Sequence, residues 1–450
     1  MKKYEAYKNS GIEWIGQIPE GWSVVPLKYN LSLKGRIGWN GLKSEEFQEK
    51  SYAYLVTGQD FNSDVVNWEK CYQINKERYD EDPFIQLENG DLLVTKDGTI
   101  GKVAKVVNLD KPACLNSGIF VVKQTKGVFE QNYLYWVLVS NQLKEFVGFN
   151  STGSTIAHLY QNVFENMPLT VPPLTEQKAI ASYLDHKVGQ IDASISAINT
   201  QIDDLKSYRQ SFISEAVTKG LNPNVPMKDS CVEWIGRIPE GWEIKRLSLF
   251  TTKIGSGKTP TGGAQVYTED GVLFIRSQNV YNNGLVTNDI AYISEEVNRT
   301  MLNSKVVHQD VLLNITGGSI GRSCLITDEN INANVNQHVC IIRSKKNVLD
   351  SSFLHYQIVA SLIQNQIKAC QTGSNREELN FEQIGKFMIT IPPLSEQQAI
   401  ASYLDEKTQK IDSTISSLEA QRDDLNALKQ SIISETVTGK IDVRDWKPNK

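Results

Sequence analysis

The sequence has few of the residues, and none of the spacings, that build a metal or redox site. Six cysteines are scattered along 450 residues without a Cys-x-x-Cys pair, and five histidines form no metal-ligating pattern. A zinc site and a disulfide framework are therefore not predicted, and a reducing compartment is favoured. We expect no bound metal ion.

Long apolar runs are also absent. No stretch of the sequence is long enough and apolar enough to cross a bilayer as a helix. The first ten residues, MKKYEAYKNS, lack the apolar core of a signal peptide. These absences predict a cytoplasmic protein.

Catalytic signatures are missing as well. The two Pro-Pro-Leu sequences lack the preceding Asn or Asp and the following aromatic residue of an adenine methyltransferase motif. Residues 255–259 (GSGKT) look like a phosphate loop, but Thr252 stands where the first glycine belongs and Pro260 disrupts the helix that must follow. We expect the chain to catalyse nothing by itself and to bind no cofactor directly.

What the sequence does contain is a tandem repeat. Residues 172–185 read PPLTEQKAIASYLD and residues 392–405 read PPLSEQQAIASYLD, with 12 of 14 positions identical at an offset of 220. The same offset relates IEWIGQIPEGW (12–22) to VEWIGRIPEGW (232–242). The pattern indicates an internal duplication with no net insertion between the motifs.

Each copy of the Pro-Pro motif opens a long helical pattern. A proline pair prevents helix upstream, and Thr175 and Ser395 can cap the free amides of the first turn. Apolar residues then recur at alternating steps of four and three, which is the heptad spacing of a coiled coil. Two ordinary amphipathic helices on separate cores are the simpler alternative. The predicted seam comprises Leu184, Ile191, Ile195, Ile198, Ile202, Leu205, Leu404, Ile411, Ile415, Leu418, Leu425 and Ile432.

Connectivity then sets the architecture. The second helix starts from the globular segment that the first helix enters, so helices sharing one seam must run antiparallel. In each globular segment, β-like runs precede a helical pattern, at 132–146 and at 352–368. We predict an α+β (mixed α/β) fold with two similar globular domains joined by two long antiparallel coiled-coil helices in a pseudo-two-fold tandem repeat. The predicted boundaries are 1–171 and 221–391 for the globular domains, 172–220 for the central helix, and 392–450 for the C-terminal helix and tail.

The negative net charge lies on the helices. The chain has a net charge of -5. Residues 175–219 hold six acids and five Lys or Arg, and residues 395–438 hold eight acids and four Lys or Arg. The rest of the chain is therefore neutral overall, and a negative total does not argue against nucleic acid binding.

Two loops at matching places are basic. Residues 21–44 and 244–268 contain Lys and Arg among small polar residues, and no Asp or Glu. Such loops suit contact with phosphates, and solvated surface loops are the plainer alternative. The candidate contacts are Lys34, Arg36, Asn40 and Lys43 in the first loop and Lys253, Ser256, Lys258 and Thr259 in the second.

Another pair of loops is rich in small hydroxyl side chains. These loops read STGST at 151–155 and TGSNR at 372–376, and Ser374 with Glu377 fits a capping box. A helix N-terminus there can bind a phosphate, and a plain helix cap is an equally good interpretation. The candidate residues are Thr152, Ser154, Thr372, Ser374 and Arg376.

Polar side chains on neighbouring loops are candidates for reading base edges. They are Gln59, Asp60, Lys96 and Asp97 in the first domain and Arg276, Gln278, Asn279, Asn314 and Arg322 in the second. The offset of 220 aligns LLVTKDGTIGK (92–102) with LLNITGGSIGR (312–322), and it aligns residues 56–58 with 276–278. The second pair differs at every position, so contacts cannot be transferred between the domains there.

These motifs together resemble a known family. The EWIGxIPEGW opening, the GxIG turn, the TGS loop and the PPLxEQxxIxxYLD helix start, each present twice and in order, resemble the specificity subunit of Type I restriction-modification systems (the HsdS family). The resemblance implies two target-recognition domains that each read one half of an asymmetric, bipartite site in double-stranded DNA. It also implies that the helices act as a ruler between the half-sites.

The resemblance implies partners too. Two modification (methyltransferase) subunits would dock on the chain and bring S-adenosylmethionine and the adenine-methylating motif, and restriction subunits would join them. The chain would then be a non-catalytic part of a methyltransferase and endonuclease complex. From the residues alone, a two-headed coiled-coil adaptor that binds proteins instead of DNA is the alternative; it explains the acidity more easily and the basic loops less well.

Overall fold

The structure is a computed structural model that describes residues 2–36, 42–62, 64–150, 158–232, 234–371 and 378–447. The chain divides into two units. Unit 1 comprises Met1–Ile198 and Ala420–Lys450, and unit 2 comprises Asn199–Glu419. No helix within the described ranges has both the length and the apolar character needed to cross a bilayer.

Two of the helices are much longer than the others. The helices are α1 Lys76–Asp80, α2 Gln131–Val139, α3 Asn141–Asn150, α4 Gln161–Phe164, α5 Leu174–Lys219, α6 Glu295–Arg299, α7 Ser351–Val359, α8 Ser361–Gln371, α9 Phe381–Gly385 and α10 Leu394–Val437. The helix α5 has 46 residues and α10 has 44. Both begin directly after their Pro-Pro pair, so Thr175 and Ser395 lie inside the first turn and not at the predicted cap position.

Each predicted helix between the strands and the long helix is in fact a pair. Ser140 separates α2 from α3 with extended backbone (φ -69°, ψ 170°), and Ala360 separates α7 from α8 in the same way (φ -69°, ψ 159°). An extended residue cannot continue the helical hydrogen-bond ladder. The apolar periodicity runs through the break, because both helices of each pair pack on the same core.

The strands of unit 1 form two main sheets. They are β1 Tyr7–Asn9, β2 Gln17–Pro19, β3 Ser23–Pro26, β4 Leu31–Lys34, β5 Ala53–Val56, β6 Phe61–Asn62, β7 Val65–Val66, β8 Tyr72–Ile74, β9 Leu92–Thr95, β10 Val103–Lys105, β11 Ala113–Leu115, β12 Ile119–Gln124 and β13 Pro168–Val171. The larger sheet has the order β4-β12-β9-β10-β7-β6, and the smaller has the order β11-β5-β8. In β9, Leu92 and Val94 face one hydrophobic cluster whereas Leu93 faces another, as the two-residue period of a strand requires.

Unit 2 is built in the same way. Its strands are β14 Met227–Asp229, β15 Arg237–Pro239, β16 Glu243–Arg246, β17 Thr251–Ser256, β18 Tyr267–Thr268, β19 Val272–Ile275, β20 Val280–Tyr281, β21 Gly284–Leu285, β22 Ala291–Ile293, β23 Lys305–Val306, β24 Val311–Asn314, β25 Ser323–Leu325, β26 Ala333–Val335, β27 Val339–Ser344 and β28 Met388–Ile391. The sheets have the orders β17-β27-β24-β25 and β18-β22-β19-β26-β23. In β24, Val311 and Leu313 face one cluster and Leu312 faces the other.

Hydrogen bonds correct the predicted alignment of the two repeats in the middle of each domain. The Thr95 amide donates to the Lys102 carbonyl (3.0 Å) as the Asn314 amide donates to that of Arg322 (2.8 Å). Thr95 therefore corresponds to Asn314, at an offset of 219, and the aligned Leu-Leu pairs are one residue out of register. A residue added in the 314–321 turn restores the offset of 220 afterwards.

Within each unit, the segments of α5 and α10 run in opposite directions. In unit 1, Lys429 Nζ lies 2.6 Å from Asp192 Oδ1, and Thr170, just before α5, donates to the carbonyl of Val437 at the end of α10 (2.7 Å). In unit 2, Arg209 Nε lies 2.9 Å from Asp412 Oδ1. All the predicted seam residues are buried or half-buried.

Candidate nucleic-acid interface

Five segments of unit 1 converge at one edge of its sheets. We define loop cluster one as residues 34–36, 57–60, 95–102, 115–118 and 158–160. The Asn116 amide donates to the Val56 carbonyl (2.9 Å), the Lys96 amide donates to the Gly118 carbonyl (2.9 Å), and the Leu159 amide donates to the Lys96 carbonyl (2.9 Å). Loops that are distant in sequence therefore form one surface.

A groove of about 580 Å³ opens in loop cluster one. Gln59, Asp97, Lys102 and Asn116 contribute polar groups to it, and Phe47 and Tyr72 contribute two rings with centroids 5.4 Å apart. Both Gln59 and Lys102 are exposed. The groove thus offers amide, ammonium, carboxylate and apolar surfaces within one small area.

The predicted lysines of this domain differ in their surroundings. Lys34 is exposed at the end of β4, with its ammonium 5.5 Å from the centre of the Phe84 ring. Lys43 is exposed as well. Lys96 is half-buried above the Phe120 ring, at 5.0 Å, and burial lowers its pKa. Lys34 and Lys43 are therefore available for phosphate contact, and Lys96 less so.

Arg36 does not belong to the exposed surface, contrary to the prediction. Only 1% of the residue is exposed. Its Nε donates to the Leu115 carbonyl (3.0 Å), and its Nη2 lies 3.5 Å from Cys114 Sγ. Arg36 therefore ties the basic loop to β11, and its guanidinium is not presented to a phosphate.

The equivalent segments of unit 2 also converge. We define loop cluster two as residues 256–259, 276–279, 314–322, 336–338 and 378–379. The Gly257 amide donates to the Asn336 carbonyl (3.1 Å), and the Asn336 amide donates to the Ile275 carbonyl (3.1 Å). The Ile315 amide donates to the His338 carbonyl (3.0 Å), and the Leu379 amide donates to the Ile315 carbonyl (2.9 Å).

Loop cluster two carries a hydrogen-bonded chain of polar side chains. Thr259 Oγ1 donates to Gln337 Oε1 (2.6 Å), Gln337 Nε2 lies 2.9 Å from His338 Nε2, and His338 Nδ1 lies 2.7 Å from Thr316 Oγ1. This chain crosses three loops, so it holds their side chains in fixed relative positions.

Cationic side chains flank this chain. Lys258 is exposed. Arg322 is exposed too, with its guanidinium carbon 5.0 Å from the centre of the Tyr281 ring. Arg276 is half-buried, and its Nη2 donates to the Asp289 carbonyl (3.0 Å) while Gln278 Nε2 donates to Asp289 Oδ2 (3.2 Å). Asp289 therefore braces both Arg276 and Gln278.

Two other predicted residues of this loop are engaged in local contacts. The Lys253 ammonium donates to the carbonyl of Asn303, and burial, followed by the nearby Arg343, lowers the pKa of Lys253. Ser256 is half-buried, with its hydroxyl 3.4 Å from the Gly257 carbonyl. Of the four candidates in the second basic loop, Lys258 and Thr259 are thus the exposed ones.

Three residues predicted to read bases are buried: Asp60 and Asn314 are 6% and 0% exposed, and Asn279 is buried as well. It is 1% exposed. Its Oδ1 accepts from the Arg276 amide (3.1 Å) and its Nδ2 donates to the Val286 carbonyl (3.0 Å). Both ends of the amide are satisfied inside the domain, so Asn279 anchors the turn and does not face a ligand.

Several candidates cannot be placed. The residues Asn40, Thr152, Ser154, Thr372, Ser374 and Arg376 lie outside the described residues.

Sequence reasoning missed the segment at the centre of each cluster. Residues 116–118 read Asn-Ser-Gly and residues 336–338 read Asn-Gln-His, each lying between two strands. A short polar break between two apolar runs, repeated at the offset of 220, was the available signal.

The two clusters can contact a polyanion and read polar edges. Exposed Lys and Arg side chains stand beside amides that can donate and accept hydrogen bonds, which is what phosphate contact and base readout require. In the part of the chain that the structure describes, no group of three or more His, Cys, Asp or Glu is arranged to hold a metal ion.

Comparisons with known proteins agree with this arrangement. The family model described as the Type I restriction modification DNA specificity domain matches residues 38–204 and 239–421. The MjaVIII specificity subunit, from a Type I restriction enzyme of Methanocaldococcus jannaschii, is 26% identical over 437 residues, covering 95% of each chain. The EcoBI specificity subunit of Escherichia coli is 24% identical over 364 residues, covering 79% of this chain and 74% of that one.

One solved structure shares the fold over most of its length. It comes from work on complex assembly and conformational transition of the type I R-M system, and its chain matches with a TM-score of 0.69 at 16% identity. The match covers 94% of this chain and 99% of that one. The resemblance predicted from the motifs is confirmed: the chain belongs to the Type I restriction-modification DNA specificity family and carries that family's domain twice.

Proposed function

We propose that the chain is the DNA-specificity subunit of a Type I restriction-modification complex and that it catalyses no reaction itself. Loop cluster one would contact one half of a bipartite DNA site, and loop cluster two the other half. The observation that carries the proposal is that equivalent backbone hydrogen bonds in two repeats assemble loops with exposed cations and amides. The family match favours this function over the adaptor that binds proteins.

The two half-sites would be unlike. Loop cluster one exposes Asp97 and Lys102, whereas loop cluster two exposes Lys258, Thr259 and Arg322. Base edges are distinguished by the pattern of donors and acceptors that meets them. Equivalent frames with different side chains therefore support recognition of an asymmetric site.

The long helices would set the distance between the half-sites. The ion pairs Asp192–Lys429 and Asp412–Arg209 are related by the offset of 220 in both members. Such a repeat is expected of a continuous antiparallel coiled coil with pseudo-two-fold symmetry, in which the seam residues alternate with solvated positions. The predicted domains, 1–171 and 221–391, would then lie at the origins of the helices 172–220 and 392–450.

Partners would supply the chemistry. Two modification subunits would dock on the chain, bringing S-adenosylmethionine and the adenine-methylating residues, and restriction subunits would join them. The chain would bind double-stranded DNA and no cofactor of its own.

Sequencing modified adenines genome-wide, in cells with and without this gene, tests the proposed function. We expect one asymmetric two-part motif to be modified only when the gene is present. A modification pattern that does not depend on the gene would contradict the proposal.

Lengthening both helices tests the ruler. Inserting one heptad after Ile198 and another after Leu418 would add about 10 Å, or roughly three base pairs, to the unread spacer. Both half-sites should be unchanged, because neither loop cluster is altered. Modified motifs with the original spacer, or with different bases, would show that the helices do not set the distance.

A further inference from the structure

We infer that Gln59 and Gln278 are equivalent specificity-determining residues, each selecting an adenine in the half-site of its own domain. The inference rests on the proposed function and deepens it, because it names the base that one side chain in each loop cluster reads.

The two glutamines occupy the same place in the same turn. The Asp60 amide donates to the Thr57 carbonyl (3.1 Å), as the Asn279 amide donates to that of Arg276 (2.8 Å). The predicted alignment of residues 56–58 with 276–278 is thus wrong by one residue. With Thr57 opposite Arg276, Gln59 falls opposite Gln278, and a position that seemed to differ is shared.

The turn is anchored at its base and exposed at its tip. Asp60 and Asn279, the residues that follow the glutamines, are 6% and 1% exposed. Asp60 Oδ2 accepts from the Thr57 amide (2.6 Å), and Asn279 Oδ1 accepts from the Arg276 amide (3.1 Å). Because these bonds hold the backbone, an exposed side chain at the tip is presented in a defined direction, as site recognition requires.

The tip lies among the other candidate contacts. Gln59 lines the groove of loop cluster one together with Lys102 and Asn116. Gln278 neighbours Arg276, whose side chain shares its partner Asp289. A glutamine amide matches the N6 donor and N7 acceptor of adenine in the major groove with two hydrogen bonds, a pattern that no other base offers.

The two glutamines differ in whether the side-chain amide is oriented before DNA binds. The Gln59 backbone N–H donates to Thr57 Oγ1 (3.3 Å), but its side-chain amide has no hydrogen-bond partner among the described residues, whereas Gln278 Nε2 donates to Asp289 Oδ2 (3.2 Å). A carboxylate only accepts, so the contact fixes which end of the Gln278 amide faces Asp289. Its Oε1 and second N–H remain for the base. Gln278 is therefore oriented before binding, and Gln59 is oriented by the base.

Selection from a random duplex library measures the assignment. The full-length chain, purified with the subunits that accompany it, is allowed to bind the library, and the bound sequences are read. Gln59→Ala should lower the preference for adenine at one position of one half-site by roughly 5- to 150-fold, the range for losing one bidentate base contact. Gln278→Ala should do the same in the other half-site alone.

A second substitution gives a change of specificity. In Gln59→Glu and Gln278→Glu, a carboxylate replaces the amide, and it accepts from cytosine N4 in place of pairing with adenine. We expect the selected base at that position to change from adenine to cytosine. Gln17→Glu adds the same charge at an exposed glutamine of unit 1 outside loop cluster one, and its selected site should equal the wild type.

The outcomes separate the two claims. If the wild-type assembly enriches no two-part sequence, the proposed function itself fails. If it enriches one, and the Ala and Glu variants all enrich the same bases, the assignment of the glutamines is wrong. A change at a position where the wild type selects a base other than adenine would overturn the adenine assignment as well.

Discussion

Loop clusters one and two share their backbone but few of their side chains. The amide of Asn116 and that of Asn336 each donate to the last residue of the preceding parallel strand, Val56 and Ile275. Around this frame, Asp60 is replaced by Asn279, and a buried arginine is replaced by a glycine. The difference teaches that hydrogen bonds between strands fix the positions of the loops. The exposed side chains on these loops can therefore differ between the domains, and with them the bases that each domain reads.

The helices show the opposite behaviour. The 14-residue motif at their starts, residues 172–185 and 392–405, is nearly identical between repeats, and each unit contains an equivalent ion pair between α5 and α10. Apolar side chains of this motif, such as Ile180 and Leu184, are fully buried, and a buried position tolerates few side chains because each one must fill a defined space between neighbours. Similarity therefore follows the buried parts that set geometry, and divergence follows the exposed loops that we propose contact DNA.

The largest effect is expected from a substitution that disrupts the backbone packing of loop cluster two. Strand pairing puts Lys34 and Gly255 at equivalent places, so Gly257 corresponds to Arg36. A Cβ on Gly257 would lie 1.7 Å from the Val335 carbonyl oxygen. Gly257→Ala should destabilise unit 2 by about 3 kcal/mol, measured by hydrogen exchange of the β26 amides.

The matched control for this substitution lies two residues earlier, in β17. A Cβ on Gly255 would meet no described atom within 4 Å. Gly255→Ala should therefore leave the exchange of β26 close to that of the wild type. Equal effects of the two substitutions would show that the backbone contact at Gly257 is not what limits this position.

An effect of intermediate size is that acid pH should destabilise unit 2 and not unit 1. His355 corresponds to Tyr135 of unit 1, and burial lowers the pKa of His355 from 6.5 to about 4. The folded state then binds fewer protons than the unfolded state between these values, so stability falls as the pH drops from 6.5 to 4. The loss should be about 2 kcal/mol, confined to unit 2.

Hydrogen exchange of both units at pH 7 and pH 4.5 would measure this loss of stability. The exchange rates of unstructured peptides at each pH serve as the reference. His355→Gln removes the titrating group and should flatten the pH dependence of unit 2 without changing that of unit 1. The same pH dependence in the variant and the wild type would rule out His355 as its source.

The smallest effect is expected when the buried residues that anchor the two turns, Asp60 and Asn279, are exchanged. Burial raises the pKa of Asp60, against the hydrogen bonds from Thr57 that lower it. The charged carboxylate is therefore disfavoured in the fold, and stability is lost as the pH rises through the folded-state pKa. Asp60→Asn should therefore stabilise unit 1 at pH 7, with no gain in acid.

The reverse substitution, Asn279→Asp, tests whether burial of a carboxylate is the cause. Asn279→Asp would put a carboxylate where the Asn279 amide now donates to the Val286 carbonyl, so unit 2 should lose stability at pH 7. Denaturation of each variant across pH would reveal both effects. Stabilisation by Asn279→Asp at pH 7 would contradict the role given to burial.

Part of the candidate interface was predictable because it lies at strand ends. Lys34, Gln59 and Arg322 are polar residues next to apolar runs, and the structure leaves them exposed. The burial of Arg36 was not predictable, because its partners Leu115 and Cys114 come from a strand about eighty residues away. The alignment error at residues 56–58 was not predictable either. A one-residue change in the offset is reversed later in the domain, so the overall offset of 220 is unchanged.

By itself, the sequence determined the duplication, the two long helices and the heptad spacing of their apolar residues, because these depend on local periodicity and on proline pairs that stop one element and start another. Only the tertiary structure decided which loops meet, which polar residues are buried anchors, and that Gln59 corresponds to Gln278. Those features depend on hydrogen bonds between strands far apart in the chain, and nothing in the local pattern of residues encodes which strands will pair.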